Sequence, residues 1–315
     1  MPIVPLKKPG SKTRIVVVGG ANMDIAGHTR TLLAPEDSTP GEIACSPGGV
    51  ARNVAENLAR LGADLGINVH LVSAVGDDVF GHRLMEATRA AGVNVDAVAV
   101  LPSQRTATYL SLHGPDGDMA FGVNDMGILA CMTPQFLQPF ADLIHSAACL
   151  VLDCNLTPVA LEWLVQESSG VPVFADGVSV VKCAKLLPWL ARLHTLKVNR
   201  LEAQALTGQP VQSVDDARLA ALRLHQMGVA EVVLTMGEQG AAWCDQQGET
   251  GHRAAATVDV VNTSGAGDAV LAALVHAHLH HLPLAQAVAF GMACAETTLA
   301  SPFANAPELS RLGVT

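Results

Sequence analysis

The chain has 315 residues, half of them hydrophobic and only 15% charged, which allows one large α/β domain with a substantial core and a small appendage. A formal net charge of −10 excludes nucleic acid as the main partner, because backbone phosphates are held by clustered Lys and Arg, and it favours a small metabolite. No run reaches the roughly 18 apolar residues of a membrane helix, and seven cysteines, odd in number, scattered and without a CxxC pair, read as reduced, mostly buried thiols of a cytoplasmic protein.

In chain order, the only basic cluster, "LKKPGSKTR" from Leu6 to Arg14, lacks the apolar span of a signal peptide and reads as a loose leader. "RIVVVGG" (Arg14 to Gly20) is a buried strand, and the "ANMDIAGHT" that follows does not continue as a helix. Without GxGxxG, a nicotinamide-binding reading is unsupported. Two stretches, Ala26 to Gly49 and Ser103 to Asp125, are strand-like and turn-rich, the second with a hairpin signal at "GPDGD"; together they predict a small β-sheet lid inserted from about 26–47 and 103–125. Elsewhere apolar strands at His70–Gly76, Cys149–Asn155, Val171–Asp176, His194–Asn199 and Glu231–Gly237 alternate with helical patterns after Gly49, at Gly81–Gly92, after Pro158 and up to Gly228. The alternation predicts a mostly parallel sheet covered on both faces. Asp153, Asn155, Asp176, Asn199, Thr235 and Gly237 then share the rim of strand ends where ligands of open α/β sheets gather.

Four short stretches carry chemistry. In "SPGGVARN", Gly48 and Gly49 permit a close backbone approach, and Asn53 stands one turn into the following helix, able to donate and accept toward a polyol. "VNRLEA" sets Asn199 and Glu202 three apart, which suits either a phosphate contact with water held on Mg²⁺ or an N-cap with its capping-box glutamate. "LTMGEQG" offers Thr235, Gly237 and Gly240 at a strand end, a phosphate approach or a hairpin turn. "VVNTSGAGDAV" leaves the backbone bare at Gly265, Ala266 and Gly267 where a helix begins, so its N–H groups could cradle an anion beside Asp268; a glycine-assisted turn would read the same way. The run "HAHLHH" (His276 to His281) reads as a solvated helix end, since its spacing does not converge ligands on one point. HExxH and GxSxG do not occur.

Taken in order, "NMD", "GGxxxN", the β-rich interruption, "NxxE", "TxGxxG" and "TSGAGD" make the chain resemble the ribokinase-like (PfkB) sugar and nucleoside kinases over nearly its whole length. Within that family, "PGGVARN", "YLSL", "VNDM", "LDCN" and "LHTLKVNRLEA" are most similar to the branch that phosphorylates pseudouridine. The resemblance implies a three-layer Rossmann-like ribokinase fold, with a mostly parallel central sheet and a small β-sheet lid. It implies ATP-dependent transfer of the γ-phosphoryl group to the 5′-hydroxyl of a nucleoside. Asp268 would be the general base, with the N–H groups from Gly265, Ala266 and Gly267 to Asp268 as the anion hole. Asn22, Asp24, Gly48, Gly49 and Asn53 would surround the ribose. Lys197, Asn199, Thr235, Gly237 and Gly240 would line the ATP site, and Asn199 and Glu202 would hold Mg²⁺ through water.

For the base, Asn124 and Asp125 would read the ring N–H that a carbon-linked uracil keeps, with Tyr109 stacking or bonding from a lid strand; taken alone, "NDMG" is a loop turn and Tyr109 a strand former. Three departures stand against the family pattern. Asn262 replaces an Asp six residues before the base, which counts against K⁺ activation. Met292 stands where ribokinase sets an Asn against adenine, and Val198 replaces a proline. An exposed lid edge would suit a homodimer. The alternatives are a ribokinase, deoxyribose kinase or purine-nucleoside kinase on the same framework, or a nucleoside-binding sensor that keeps the fold without catalysis.

Overall fold

The structure, a computed structural model, describes residues 13–34, 36–63 and 66–313; the basic leader up to position 12 lies outside the described residues. The strands run β1 (Arg14–Val18), β2 (Asn22–Thr29), β3 (Gly41–Gly48), β4 (Asn68–Gly76), β5 (Val98–Leu101), β6 (Thr108–His113), β7 (Met119–Asp125), β8 (Cys149–Asp153), β9 (Val173–Asp176), β10 (Thr195–Asn199), β11 (Glu231–Thr235), β12 (Ala241–Cys244) and β13 (Thr250–Arg253). Nine of them form one sheet in the order β13-β12-β11-β10-β9-β8-β1-β4-β5, parallel except for β12 and β13.

β1 shows why the sheet is covered on both sides. Ile15 and Val17 face one core and Val16 and Val18 the other, all fully buried, so the strand is apolar at every position rather than at alternate ones. The Ile15 face is covered by helices Val50–Leu61, Ala266–Leu279 and Leu284–Leu299. The Val16 face is covered by Pro158–Glu167, Arg200–Thr207 and Val214–Gln226, which completes three layers.

Because β1 has β4 on one side and β8 on the other, the strand order reverses beside it, and an open α/β sheet forms its ligand crevice at such a point. Ala266–Leu279 packs between Val50–Leu61 and Leu284–Leu299, and every residue from Asp268 to Ala277 is buried, so it has no polar stripe to show. The histidine run is therefore a solvated helix end only at His281, which is exposed. His276 and His280 are both buried, with rings 4.7 Å apart, and His276 also meets Phe290. Among the described residues, no group of three or more His, Cys, Asp or Glu side chains is placed to hold a metal ion. Nor is any described helix long and apolar enough to cross a membrane.

The remaining strands make a separate sheet in the order β3-β2-β6-β7, with the turn at Gly114–Asp118 closing the β6–β7 hairpin. β2 begins at Asn22, four residues before the boundary expected from the sequence, so Asn22 and Asp24 are themselves strand residues. Register and the two-residue period sort the small sheet into faces. Asp24 lies opposite Ser46 and Tyr109, and Tyr109 opposite Asn124, in one row; Met23, Thr108 and Asp125 form the next row and point to the other side.

Candidate active site

The chain leaves β1 through Gly19 and Gly20 against the carboxylate of Asp153, at the end of β8. Asp153 accepts hydrogen bonds from the N–H groups of Gly20 (2.8 Å), Ala51 (3.0 Å) and Asn155 (2.8 Å). A Cβ on Gly19 would lie 2.5 Å from that carboxylate, and one on Gly49, whose φ is +98°, would lie 2.5 Å from the Gly20 carbonyl. The Val50–Leu61 helix has no side-chain cap within its own segment, so Asp153 serves as its cap from across the sheet.

Asp24 rises from β2 just beyond this floor. Asn22 Nδ2 donates to its Oδ1 at 2.6 Å, and a Cβ on Gly48 would fall 2.0 Å from its Oδ2, so the bare glycine makes room for the carboxylate. Burial pushes the Asp24 carboxyl up to about 6, against the opposing pull of the Asn22 bond and the Arg52 charge. Tyr109 shares this face. Its hydroxyl reaches Met119 Sδ (3.2 Å), and Gly122 leaves space beneath it, since a Cβ there would lie 3.0 Å from the phenolic oxygen. Asn124 is beside Tyr109. Asp125, grouped with Asn124 in the sequence reading, is on the opposite face, 3.6 Å from Arg105, where with Asp78, Phe80 and Thr108 it lines an open cavity of about 440 Å³.

Asp268 stands in the first turn of Ala266–Leu279. Gly265 begins that helix with φ +81°, and no side chain caps it, leaving the N–H groups of Ala266, Gly267 and Asp268 directed outward. Asn53 Nδ2 donates to Asp268 Oδ2 at 2.8 Å and so joins the two glycine-led helix starts. Lys197 Nζ donates to Asp176 Oδ2 at 2.9 Å and lies 2.6 Å from where a Cβ on Gly267 would be, directly under the first turn. Burial, with the charges of Asp176 and Asp153, pushes Asp268 up to about 8, opposed by Lys197 and the Asn53 bond. For Lys197, burial favours the neutral amine, but Asp176, Glu202 and Asp268 together hold the proton more tightly than usual. The result is a carboxylate that takes a proton near neutrality, beside unpartnered N–H groups and a buried cation.

The remaining expectations divide. Asn199 and Glu202 form the capping box: Glu202 N–H donates to Asn199 Oδ1, while Asn199 N–H and Nδ2 donate to the two Glu202 oxygens. Glu202 is 1% exposed, and burial raises its carboxyl. Thr235 stands beside Asn199 on the rim and bonds the Val198 carbonyl, and Gly237 faces open space. Gly240 serves the β11–β12 hairpin, since a Cβ there would strike the Arg253 carbonyl at 2.0 Å. Met292 is buried in the core of Leu284–Leu299. The sequence places Asp153 and Asp176 on the ligand rim without a specific role for either, and singles out neither Arg52 nor Asn305; the one further signal was an arginine on a helix face that is otherwise buried.

Against this geometry, the pfkB family of carbohydrate kinases matches the chain over residues 12–310. The pseudouridine kinase of Escherichia coli K12 is 40% identical over 299 residues, covering 95% of this chain and 94% of its own. A second protein of the same organism, the uncharacterized sugar kinase YeiI, is 40% identical over 94% of this chain and 80% of its own. The solved structure of Arabidopsis thaliana ribokinase with ribose and ATP superimposes with a TM-score of 0.81 at 22% identity, covering 95% of this chain and 99% of the other.

Proposed function

Because the chain belongs to the pfkB family of carbohydrate kinases, which transfer a phosphoryl group to a hydroxyl, we propose that it phosphorylates the 5′-hydroxyl of pseudouridine with ATP, giving pseudouridine 5′-phosphate and ADP. The observation that carries this reading is Asp268 at an uncapped helix start, held by Asn53 and underlain by Lys197. The 5′-oxygen attacks the γ-phosphorus, the bond from that phosphorus to the ADP oxygen breaks, and the hydroxyl proton passes to the Asp268 carboxylate. The N–H groups of Gly265 to Asp268 meet the negative charge of the moving group, and the Lys197 cation reinforces them from below. Asn22 and Asp24 hold the ribose hydroxyls, with Gly48 and Gly49 bringing the backbone close; Asn53, expected from the sequence to donate and accept toward the sugar, instead spends its amide on Arg52 and Asp268. The four-stranded sheet acts as the lid, and the exposed apolar side chains Ile43, Phe121 and Val123 on its outer face support pairing with a second copy.

ATP lies along Thr235 and Gly237. Mg²⁺, when bound on those phosphates with its own waters, would offset their negative charge, as this hard cation commonly does. The capping box already engages both oxygens of Glu202, so the fit of Asn199 and Glu202 to the metal extends only to an outer, water-mediated contact. The site works without K⁺. Asn262 Oδ1 accepts from Ser264 N–H and its Nδ2 donates to the Pro302 carbonyl, so a neutral amide held at both ends stands where a carboxylate would offer a cation its charge. Turnover is expected to agree within about twofold between potassium and sodium buffers; a tenfold potassium stimulation would refute this assignment.

Choice of base rests on the Asp24 face of the lid. Pseudouracil keeps an N1–H that uridine lacks; Asn124 supplies an acceptor for it and Tyr109 an aromatic surface, on the same row as Asp24. The test is ADP release with pseudouridine, uridine, ribose and adenosine as parallel acceptors. Pseudouridine is expected to lead, and Asn124→Ala to narrow its advantage over uridine, a margin that reaches about 10⁴ where a buried acceptor is otherwise unpaired. Asp125→Ala, on the other face, is expected to leave the ratio alone. Preference for another acceptor would keep the kinase chemistry and remove pseudouridine from it.

A further inference from the structure

Arg52 is 4% exposed on a helix whose neighbouring side chains Ala51, Val54, Ala55 and Leu58 build the core. A buried arginine is costly, and a buried ion pair is weak evidence for stability, since apolar replacements of similar volume are often neutral. Its contacts indicate another use. Nε donates to Thr88 Oγ1 (3.2 Å), and Nη2 pairs with Glu56, whose other oxygen takes Arg60. Nη1 donates to the Pro47 carbonyl (3.3 Å), to Asn53 Oδ1 (3.1 Å) and to Asn305 Oδ1 (2.8 Å).

A guanidinium has only donors, so the Asn53 amide atom that faces it must be oxygen, and the amide nitrogen is thereby turned toward Asp268. Rotating the amide would set nitrogen against guanidinium and oxygen against carboxylate. Asn305 locks the arrangement from 253 residues away: its Nδ2 donates to the Asn53 carbonyl (3.0 Å) and to Asn57 Oδ1 (2.9 Å). The residue before it, Ala304, sets its carbonyl against bare Gly265 at the start of the anion hole.

We propose that Arg52 is a positioning residue, held by Asn305 and Glu56, that orients the Asn53 amide so that Nδ2 is aimed at the Asp268 carboxylate. The role in catalysis rests on the reading of Asp268 as the general base; the orientation itself does not. With the amide nitrogen fixed, the ionised carboxylate gains a donor that a freely rotating amide would offer only part of the time. The other groups facing Asp268 are Asp176 from β9, Lys197 from β10 and Asp153 from β8, all of which stay in place in the variants below. The Arg52 charge also acts on Asp268 directly, as it does on Asp24, and the Asn53→Ala background separates that effect from the orientation of the amide.

The test reads Asp268 directly, by carbon-13 NMR of aspartate carboxyls in the full chain, with its resonance identified by its loss in Asp268→Asn. In the Arg52→Met/Glu56→Gln double variant, which leaves no orphaned carboxylate, the Asp268 midpoint is expected to rise by about one pH unit. In an Asn53→Ala background the same pair should add little, because contacting residues that act through one another are not additive. Asn305→Ala, which leaves the Arg52–Glu56 pair intact, should raise the midpoint in the same direction by less, and it stands in if the double variant does not fold. An unmoved midpoint in these variants, or an equal rise with and without Asn53, overturns the proposal. Absence of ADP release from every acceptor in the unaltered protein would instead remove the kinase assignment and leave the titration result standing.

Discussion

Asp268→Asn is expected to keep the fold and the binding of both substrates while losing about 10²–10⁴-fold in turnover, the usual contribution of a positioned base. Asparagine has the same shape, and its oxygen can still accept from Asn53 Nδ2, so the joint between the two helix starts survives. What disappears is the one group beside the anion hole that can take the hydroxyl proton. Single-turnover ADP release together with calorimetric binding of the acceptor measures the two effects separately. Near-normal turnover would discard Asp268 as the base. In the unaltered enzyme, kcat/KM should rise with pH as Asp268 ionises, with its midpoint near the value of about 8 to which burial and Asp176 push it.

The same substitution carries a stability signature of definite sign. The Asp268 carboxyl is raised in the folded state from 3.8 to about 8, so the native protein holds this proton more tightly than the unfolded chain. That contribution is complete below about pH 4 and is lost as the pH rises through about 8. The amide introduced by Asp268→Asn is neutral throughout. The variant is therefore expected to match the parent near pH 4 and to melt above it at pH 9; each tenfold in proton affinity is worth about 1.4 kcal/mol, or a few degrees for a chain of this size. Thermal melts at the two pH values check it, and an equal difference at both would show that Asp268 does not carry the proton.

The central sheet was legible because each buried parallel strand is a continuous apolar run stopped by glycine or a polar residue, as at Cys149–Asp153 and Glu231–Thr235. β12 and β13, four residues each, were not, since strands so short lack such a run, although a hairpin turn at "LTMGEQG" was one of the two readings of that stretch and is the one that joins β11 to β12. The glycine-led helix starts at Gly49 and Gly265 were visible locally, but their union through Asn53 and Asp268 depends on the packing of two helices 215 residues apart. Asn124 and Asp125 could not be separated without the strand phase, because neighbours in a strand face opposite ways. The capping box at Asn199 was one of two readings of the same spacing, and the backbone N–H groups of the helix start decided for it. Arg52 shows locally only as one arginine on an otherwise buried helix face, and Asn305 has no local signature; their shared contacts give them meaning.

Gly265→Ala and Gly267→Ala, two residues apart, are expected to fail in different ways. Gly265 has a left-handed backbone at φ +81°, which costs an alanine about 1–2 kcal/mol. The added Cβ would lie 1.9 Å from the Ala304 carbonyl oxygen, so the Ser301–Asn305 segment must move, at a typical overpacking cost of about 1–3 kcal/mol. The sum, on the order of 3 kcal/mol, corresponds to a melting point lower by roughly 6–12 °C. Gly267 is inside the helix, where alanine gains about 0.5–1 kcal/mol in propensity. Its Cβ meets only the tip of Lys197, 2.6 Å away, a flexible ammonium that can retreat. Gly267→Ala should thus melt within a few degrees of the parent yet lose at least about tenfold in turnover, because the cation no longer sits beneath the anion hole; loss of one such donor alone costs about 10²–10³. Melting curves and ADP release on the two variants separate the cases. A Gly267→Ala enzyme with full activity would show that the Lys197 charge does not act through this turn, and a Gly265→Ala protein of unchanged stability would show that the Ala304 segment yields without cost.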